Sequence, residues 1–438
     1  MKKILILSYF FPPCNMVASQ RIYSWYRHFH KFGLYPVVVT RHWNHEIDTL
    51  PDLSRPDNSP LRIEKNEWGE VHYLPYRGTL RDRFMTRYGN RYALFRRFLT
   101  LAELFAPYIH PALNPFRSFR EYADAYIADH KPSFLLISAN PYTLFQAGHY
   151  LQKKFGIPWF ADYRDDWTQN HLRRTTSLLQ KGLLRIEKRA EKKYMEQVSA
   201  ILSVSGVLVK QIAARLKKDN VYLIENGAEL DFYNTDLKNP YPEQNFVICY
   251  TGIMYDFGYM DTFYEGFRQF ISGLGKEEAA AVQVYFIGTE TNAGRARDKM
   301  TELAAAYPQN VVILKKLPAP EVAPYQLFAD VLLNLIVGNP ADGIIGAKTY
   351  TYAVTGRPIL AVTHVPGKDS PFFPGRDIQY IANTAGEVCS FLSDIYRRGR
   401  QGQDTRTSIT DGEKYTLSRE YNARKLAEII LENEKGPQ

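Results

Sequence analysis

The feature that most constrains the fold is the alternation of short apolar runs with helix-length amphipathic stretches along most of the 438 residues. The first apolar run is Ile4–Phe10. A helix face follows, with apolar residues spaced i, i+3, i+4 and i+7, namely Ile22, Trp25, Tyr26 and Phe29. Gly33 ends that helix, and Val37–Thr40 is the next apolar run. This strand-helix-strand start predicts a parallel, doubly wound sheet.

The same alternation continues on both sides of a polar stretch, 234–245, that contains two prolines and is typical of a linker. Before it we predict further strands at Phe134–Ser138, Trp159–Asp162, Ala200–Val204 and Tyr222–Ile224. After it we predict strands at Phe246–Thr251, Val284–Ile287, Val311–Leu314, Val331–Leu335 and Ile359–Val362. The pattern therefore indicates an α/β protein with two doubly wound, Rossmann-like domains.

The predicted domains are 1–235 and 236–415, followed by a helical tail, 416–438, that we expect to pack back toward the first domain. Two such domains place ligands in a cleft that faces the carboxyl ends of both sheets. The charge is divided unevenly between them. Residues 1–235 hold 34 Lys and Arg against 22 Asp and Glu, whereas the remainder holds 21 against 24. Different surfaces of the chain are thus expected to have different partners.

The most basic segment is 77–120, with nine arginines, no lysine and nine aromatic residues. It is predicted to be a helical insertion, and its arginines can meet phosphates while its rings enter an interface. The alternatives are an insertion whose aromatics are simply core, and a nucleic-acid surface, for which no motif is present. Candidate contacts with an anionic membrane or an acceptor are Arg81, Arg83, Phe84, Arg87, Arg91, Arg96 and Arg97.

Several function classes are disfavoured by what the sequence does not contain. Three widely spaced cysteines give no disulfide framework or zinc ribbon and fit a reducing, cytoplasmic location. No dinucleotide-binding glycine motif follows the first strand, and no H-E-x-x-H pattern occurs, so we expect neither a redox cofactor nor a metal. No apolar run reaches membrane-spanning length, which predicts a protein that is peripheral at most.

Polar residues at the predicted strand ends are the candidate site. Arg21 lies in the first turn of a helix, where the dipole favours an anion, so it is either a phosphate ligand or a solvated surface residue. Asp165 belongs to the charged run Asp162–Trp167 at the end of a strand, which indicates either a site or an internal ion pair with Arg164.

The end of one predicted strand and the start of one short predicted helix indicate a phosphate-binding region in the second domain. Gly252 would allow a phosphate to approach the backbone closely, although a plain turn explains it equally well. Lys348 is a cation in the first turn of a short helix that begins near Ala347 and ends at Gly356. A phosphate held by that lysine would account for a charge that the helix dipole opposes.

Taken in order, these segments resemble family 4 glycosyltransferases, the retaining enzymes of GT-B architecture that build bacterial surface polysaccharides. The resemblance covers nearly the whole chain, and each motif alone is weak. The segments that carry it are Pro12–Arg21, Asp162–Trp167, Ser203–Ser205, Glu225–Glu229, Tyr250–Gly252, Ile287–Gly288, Ala329–Val331, Lys348–Ile359 and Ser418–Glu420.

The resemblance implies transfer of a sugar from a nucleotide diphosphate to a lipid-linked or oligosaccharide acceptor, at the inner face of the cytoplasmic membrane and without a metal. It implies that Arg21 and Asp165 act on the acceptor side of the cleft, as the catalytic residues. The implied donor-binding residues are Gly252, Gly288, Leu317, Lys348, Tyr350 and Thr351.

The chain departs from that family at positions that matter for donor binding. Thr351 stands where the family commonly has a glutamate, and the other acidic position of that pattern falls at Gly343, beside Asp342. The segment 255–258 replaces a lysine often found after the Tyr-Thr-Gly strand. Two alternatives to a transferase therefore stay open: a non-catalytic binding homologue and a sugar-nucleotide epimerase on a similar scaffold.

Overall fold

A computed structural model describes residues 1–14, 16–44, 50–89, 91–169, 176–233, 236–254, 259–289, 294–336, 346–363 and 379–434. The chain forms two compact units. The first consists of Met1–Glu225 and Asn422–Gln438, and the second of Asn226–Tyr421. The expected boundary after residue 235 lies ten residues beyond the point at which the units change.

The first unit is built on a sheet that holds eight described strands. They are β1 (Lys2–Ser8), β2 (Leu34–Arg41), β3 (Arg62–Lys65), β4 (Glu70–Leu74), β5 (Phe134–Ser138), β6 (Trp159–Tyr163), β7 (Ala200–Ser203) and β8 (Val221–Leu223). Their order is β3-β4-β2-β1-β5-β6-β7-β8, and the paired strands are parallel except for β3 against β4. The order changes direction at β1, which is typical of a doubly wound sheet.

Helices cover both faces of this sheet. They are α1 (Val17–His28), α2 (Leu80–Tyr88), α3 (Ala93–Ile109), α4 (Arg117–His130), α5 (Phe145–Phe155), α6 (Leu178–Tyr194) and α7 (Gly206–Leu216). Two separate apolar clusters, one for each face, contain the inward side chains of the strands. This burial on both faces explains why the strands are almost continuously apolar in sequence.

The second unit contains a parallel sheet in the order β11-β10-β9-β12-β13-β14. The strands are β9 (Phe246–Thr251), β10 (Val282–Ile287), β11 (Val311–Leu314), β12 (Val331–Leu335), β13 (Ile359–Val362) and β14 (Gln379–Ala382). The helices are α8 (Tyr259–Ser272), α9 (Lys276–Ala280), α10 (Arg295–Ala306), α11 (Ala319–Phe328), α12 (Ala347–Ala353), α13 (Ala385–Arg400) and α14 (Asp411–Thr416). Apolar clusters again lie on two faces.

The chain ends in helix α15 (Arg419–Glu432), which begins in the second unit and continues into the first. Its apolar residues Ala423, Leu426, Ala427 and Ile430 are fully buried in one of the first unit's clusters. The sequence pattern predicts the helix itself because these positions recur at helical spacing.

Gly227 allows a close approach of two backbone segments where the chain enters the second unit. Its φ is +69°, and a Cβ there would lie 2.7 Å from backbone atoms of Ser418 and Arg419. The amide of Arg419 donates to the carbonyl of Ala228 at 2.8 Å. A side chain at residue 227 would separate these segments, because backbone atoms cannot shift as side chains can.

Two helical glycines in the first unit give a matched test of its packing. A Cβ at Gly148 in α5 would lie 2.5 Å from the Trp159 ring of β6, whereas at Gly182 in α6 no heavy atom of the described residues lies within 4 Å. We expect Gly148→Ala to lower the free energy of unfolding by about 1–3 kcal/mol through overpacking. Gly182→Ala should raise it by up to about 1 kcal/mol because alanine favours helix. Urea unfolding of both variants measures this, and equal effects would contradict the packing of α5 on β6.

Candidate functional site

The predicted site residues divide between the two units, and each group lies at the carboxyl edge of its own sheet. In the first unit the charged run Asp162–Trp167 begins in the last two residues of β6, where Asp162 pairs with Ser138 at the end of β5. In the second unit Gly252 follows β9, and Lys348 belongs to α12. Parallel strands bring these ends to one edge because all their carboxyl ends point the same way.

Arg21 and Asp162 form a buried ion pair in the first unit. The Nη2 and Nε atoms of Arg21 donate to Asp162 Oδ1 at 2.9 and 3.1 Å, and Nη1 donates to the carbonyl of Glu225 at 3.0 Å. Ser138 donates to the other oxygen of Asp162 at 2.7 Å. Arg21 is 5% exposed and Asp162 is 0% exposed. The expectation of a solvated surface arginine is therefore wrong, since protein acceptors occupy the guanidinium.

A second buried network holds the next aspartate of the run. Asp166 accepts from the backbone amides of Thr168 and Gln169 at 3.0 and 2.7 Å, and from Arg215 at 2.8 Å. Arg215 also donates to Glu191 at 2.9 Å, and those two carboxylates together raise the pKa of Arg215 despite its partial burial. Asp166 thus stabilises the loop after β6.

Asp165 and Arg164 remain available at the same edge. The Asp165 side chain is exposed and forms no ion pair with another described residue, while its carbonyl accepts from Tyr142 at 2.8 Å. Arg164 is half-buried, and no described side chain hydrogen-bonds to its guanidinium. Desolvation lowers the pKa of Arg164, partly offset by Asp165 and Asp162. The alternative of an internal ion pair with Arg164 is not observed within the described residues, and Asp162 is paired with Arg21 instead.

Lys348 lies against the end of β9 in the second unit. Its Nζ is 3.8 Å from the centre of the Tyr250 ring and 3.5 Å from the carbonyl of Ile253. Within the described residues no carboxylate forms an ion pair with it. Loss of solvent around the ammonium lowers the pKa of Lys348 to about 7. Gly252, with φ +88° and no heavy atom of the described residues near the position of a Cβ, lies between these contacts.

A buried polar network fixes the end of β9, and sequence reasoning missed most of it. The backbone amide of Thr251 donates to the Tyr352 hydroxyl at 2.9 Å, and Gln326 donates to Thr251 Oγ1 at 2.9 Å. Tyr233 donates to the amide oxygen of Gln326. Gln326 lies in α11, far along the chain, and no local signal marks it. The amide of Gly252 donates to Ile287 at 2.8 Å, which holds this turn beside Gly288.

The other predicted donor-binding residues lie close to this edge with different degrees of burial. Tyr350 is fully buried in an apolar cluster of the second unit, and Leu317 is half-buried against the same cluster. Thr351 donates its hydroxyl to the carbonyl of Lys348 at 2.9 Å, so its hydrogen is used within α12. Asp342, Gly343 and the segment 255–258 lie outside the described residues.

The basic segment forms α2 and α3, whose exposed side is both cationic and apolar. Arg83, Arg87, Arg91 and Arg97 are exposed. Arg81 lies 3.7 Å from Asp82 and 4.0 Å from Glu103, and Arg96 is half-buried. Phe84 is also half-buried, with its ring centre 5.0 Å from that of Phe95.

The aromatic residues of this segment are divided between core and surface, since Phe119 is 1% exposed whereas Tyr92 is 61% exposed. Leu94 is 80% and Phe98 is 63% exposed, and with Leu101 they occupy spacing i, i+4, i+7 on one face of α3.

In the described ranges, no helix is both long enough and apolar enough to cross a membrane. Nor do the described residues group three or more His, Cys, Asp or Glu in a way that could hold a metal ion.

Comparisons with known proteins found similarity in structure only. The chain is similar to a glycosyltransferase from Rickettsia africae, with a TM-score of 0.59, 10% identity and 98% of each chain covered. The chain has the GT-B fold. It is also similar to alpha,alpha-trehalose 6-phosphate synthase from Burkholderia multivorans, with a TM-score of 0.59, 11% identity and 99% of each chain covered.

A third similar structure is a putative UDP-N-acetylglucosamine 2-epimerase from Listeria monocytogenes, with a TM-score of 0.54, 10% identity, and 98% of this chain and 95% of that chain covered. No protein-family model matches the sequence, and no curated protein matches it. The prediction of two Rossmann-like domains of GT-B type is thereby confirmed.

We expect the Arg21–Asp162 pair to stabilise the first unit strongly. Asp162→Ala leaves a buried guanidinium without its carboxylate and should lower the free energy of unfolding by about 3–5 kcal/mol. Asp165→Ala, at an exposed neighbour, should change it by no more than about 0.5 kcal/mol. The Arg21→Ala/Asp162→Ala double variant should lose less than the sum of the single losses. Urea unfolding of these three variants and of the Arg21→Ala single variant measures this, and equal effects at residues 162 and 165 would argue against the pair.

Proposed function

We propose that the chain is a glycosyltransferase that moves a sugar from a nucleotide diphosphate to a lipid-linked or oligosaccharide acceptor of bacterial surface polysaccharide synthesis, with retention of configuration. The observation that carries the proposal is Lys348, a half-buried lysine with no described carboxylate partner, whose ammonium lies 3.8 Å from the centre of the Tyr250 ring, beside Gly252 at the carboxyl edge of a GT-B unit. A cation without a counter-ion at such an edge suits a diphosphate.

Lys348 has a defined role in this chemistry. Departure of the nucleotide leaves negative charge on its terminal phosphate, and an ammonium held against Tyr250 is positioned before that charge develops. With a free pKa of about 7, the amine takes up a proton when the phosphate binds, because a nearby anion favours its charged form. The backbone at Gly252 gives the phosphate room to approach.

The acceptor side is assigned to Asp165 in the first unit. Its carboxylate is exposed at the strand edge, so it is free to orient an acceptor hydroxyl or to stabilise positive charge at the anomeric carbon. Arg21, enclosed by Asp162 and the Glu225 carbonyl, is a positioning residue in this proposal. We propose no metal or other cofactor.

The donor site is tested by calorimetric titration with UDP, GDP, ADP and dTDP. We expect one nucleotide to bind selectively, and Lys348→Ala to weaken it at least about tenfold, or about 1.4 kcal/mol. Lys348→Arg is the matched control, since arginine keeps the charge at all accessible pH values. Binding to the unaltered protein should weaken from pH 7.5 to 9 by up to about tenfold per pH unit. The pH dependence of nucleotide binding should be flatter in Lys348→Arg. If Lys348→Ala bound the nucleotide with full affinity, the assignment of Lys348 to the diphosphate would be refuted.

Product analysis separates transfer from the two alternatives. The similar epimerase structure makes interconversion of a nucleotide sugar without any acceptor the second candidate. A transferase should release the nucleoside diphosphate slowly from its sugar donor in water, whereas an epimerase should return an isomerised donor. Absence of binding to all four nucleotides would support the non-catalytic homologue.

We also propose that the exposed side of α2 and α3 contacts an anionic membrane, such as the negatively charged cytoplasmic leaflet. Arg83, Arg87, Arg91 and Arg97 supply charge, and the apolar face of α3 supplies residues that can enter the lipid boundary. Apolar side chains as exposed as Leu94 and Phe98 on one helix face favour burial against a partner.

Liposome sedimentation tests this contact. Each arginine near an anionic surface contributes about 1 kcal/mol, so replacing the four exposed arginines by Gln should reduce binding to vesicles with anionic lipid more than about tenfold. Raising the salt concentration should weaken binding by the unaltered protein. A control replaces four exposed cations of the second unit by Gln, namely Lys276, Lys315, Arg397 and Arg400. Equal losses in both variants, or no sedimentation at low salt, would exclude the contact.

A further inference from the structure

A pocket of about 440 Å³ lies in the first unit, and Asp165 is not among the residues that line it. One wall is a face of α5 at helical spacing, with Gln146, His149, Tyr150 and Lys153. The opposite wall is a face of α6, with Ile186, Arg189, Ala190, Lys193 and Tyr194. The end of α3 at Pro107–Ile109 and Arg120 of α4 also line it. Its volume is in the range of small-molecule sites.

The pocket combines an apolar interior with cations. Lys153, Arg189 and Lys193 are exposed and form no ion pair with another described residue, and none of the described residues that line the pocket is a carboxylate. Arg120 lies 4.0 Å from Glu121, whose side chain is exposed, so this contact contributes little. Like charges around one pocket repel each other, and an anionic ligand would relieve that repulsion.

His149 is a buried polar side chain in the wall of the pocket. It lines the pocket, is 8% exposed, and its Nδ1 has no hydrogen-bond partner among the described residues. Burial, followed by Lys153 and Lys193, lowers the pKa of His149, with Glu196 opposing. The Nδ1 nitrogen has almost no solvent-accessible surface, so a ligand in the pocket would not reach it.

We propose that this pocket binds one anionic lipid molecule, with its phosphate held by Arg189, Lys193 and Lys153 and the start of its chains on the apolar floor. A lipid is favoured over a free anion because the apolar side chains of Ile186, Ala190 and Pro107 can pack against acyl chains but cannot hydrogen-bond to a phosphate. It is favoured over an acidic peptide because α3, whose end lines the pocket, also carries the exposed apolar face. The site deepens the proposed membrane contact, on which it rests.

The probe is dihexanoyl phosphatidylglycerol below its micelle concentration, titrated calorimetrically into the full chain. Saturable binding at one site should occur, with dihexanoyl phosphatidylcholine and glycerol phosphate each at least about tenfold weaker. Arg189→Glu/Lys193→Glu should abolish it. The matched control is Lys188→Glu/Lys192→Glu, which makes the same charge change at exposed neighbours on the same helix. It should retain affinity within about twofold.

The double variant Arg189→Gln/Lys193→Gln removes the two charges without reversing them and is the milder second variant. A thermal melt of each variant checks that it is folded. Equal binding of the two lipids, equal affinity for glycerol phosphate, equal loss in both charge-reversed variants, or tighter binding of hexaglutamate would each overturn the proposal. Vesicle binding and nucleotide titration of the same preparations report separately on the membrane contact and the transferase. Loss of lipid binding alone therefore leaves those two proposals standing.

Discussion

The first unit depends on the buried ion pair between Arg21 and Asp162. Helix α1 contributes the cation, β6 contributes the carboxylate, and β5 adds the Ser138 hydroxyl. The same guanidinium donates to the carbonyl of Glu225, where the chain leaves this unit. Removing both charges from water costs several kcal/mol per ion, and only an arrangement that satisfies the whole fork and the whole carboxylate offsets that cost. The pair therefore fixes one relative position of these segments.

In the second unit, the environment of Lys348 is the opposite of that of Arg21. Lys348 is desolvated against the Tyr250 ring, while no carboxylate within the described residues balances its charge. A cation–π contact offsets only part of the lost hydration. Arg21, whose partners belong to the protein, stabilises the structure. Lys348, which has no carboxylate partner within the described residues, would gain its largest stabilisation from an anionic ligand. This contrast is the reason for proposing a positioning role for Arg21 and a binding role for Lys348.

The sequence was sufficient for most of the fold because the strands are buried on both faces and stand out as apolar runs. β5, β9, β11, β12 and β13 match their predicted bounds. β3 and β14 were missed because the first is exposed and polar and the second is short and half-buried. β4 was also missed, since Glu70 and His72 break its apolar pattern.

The sites were less predictable because their partners are distant in sequence. The partner of Asp162 is 141 residues away, and the Gln326 that fixes Thr251 is 75 residues away. By contrast, helical spacing alone aligns Arg189 with Lys193 and Gln146 with Lys153. The helix α3 connects these features, since its exposed face presents Leu94 and Phe98 while its end at Pro107–Ile109 lines the pocket. A membrane that met this face would therefore supply lipid at the pocket, and the two proposed contacts would reinforce each other because the same helix takes part in both.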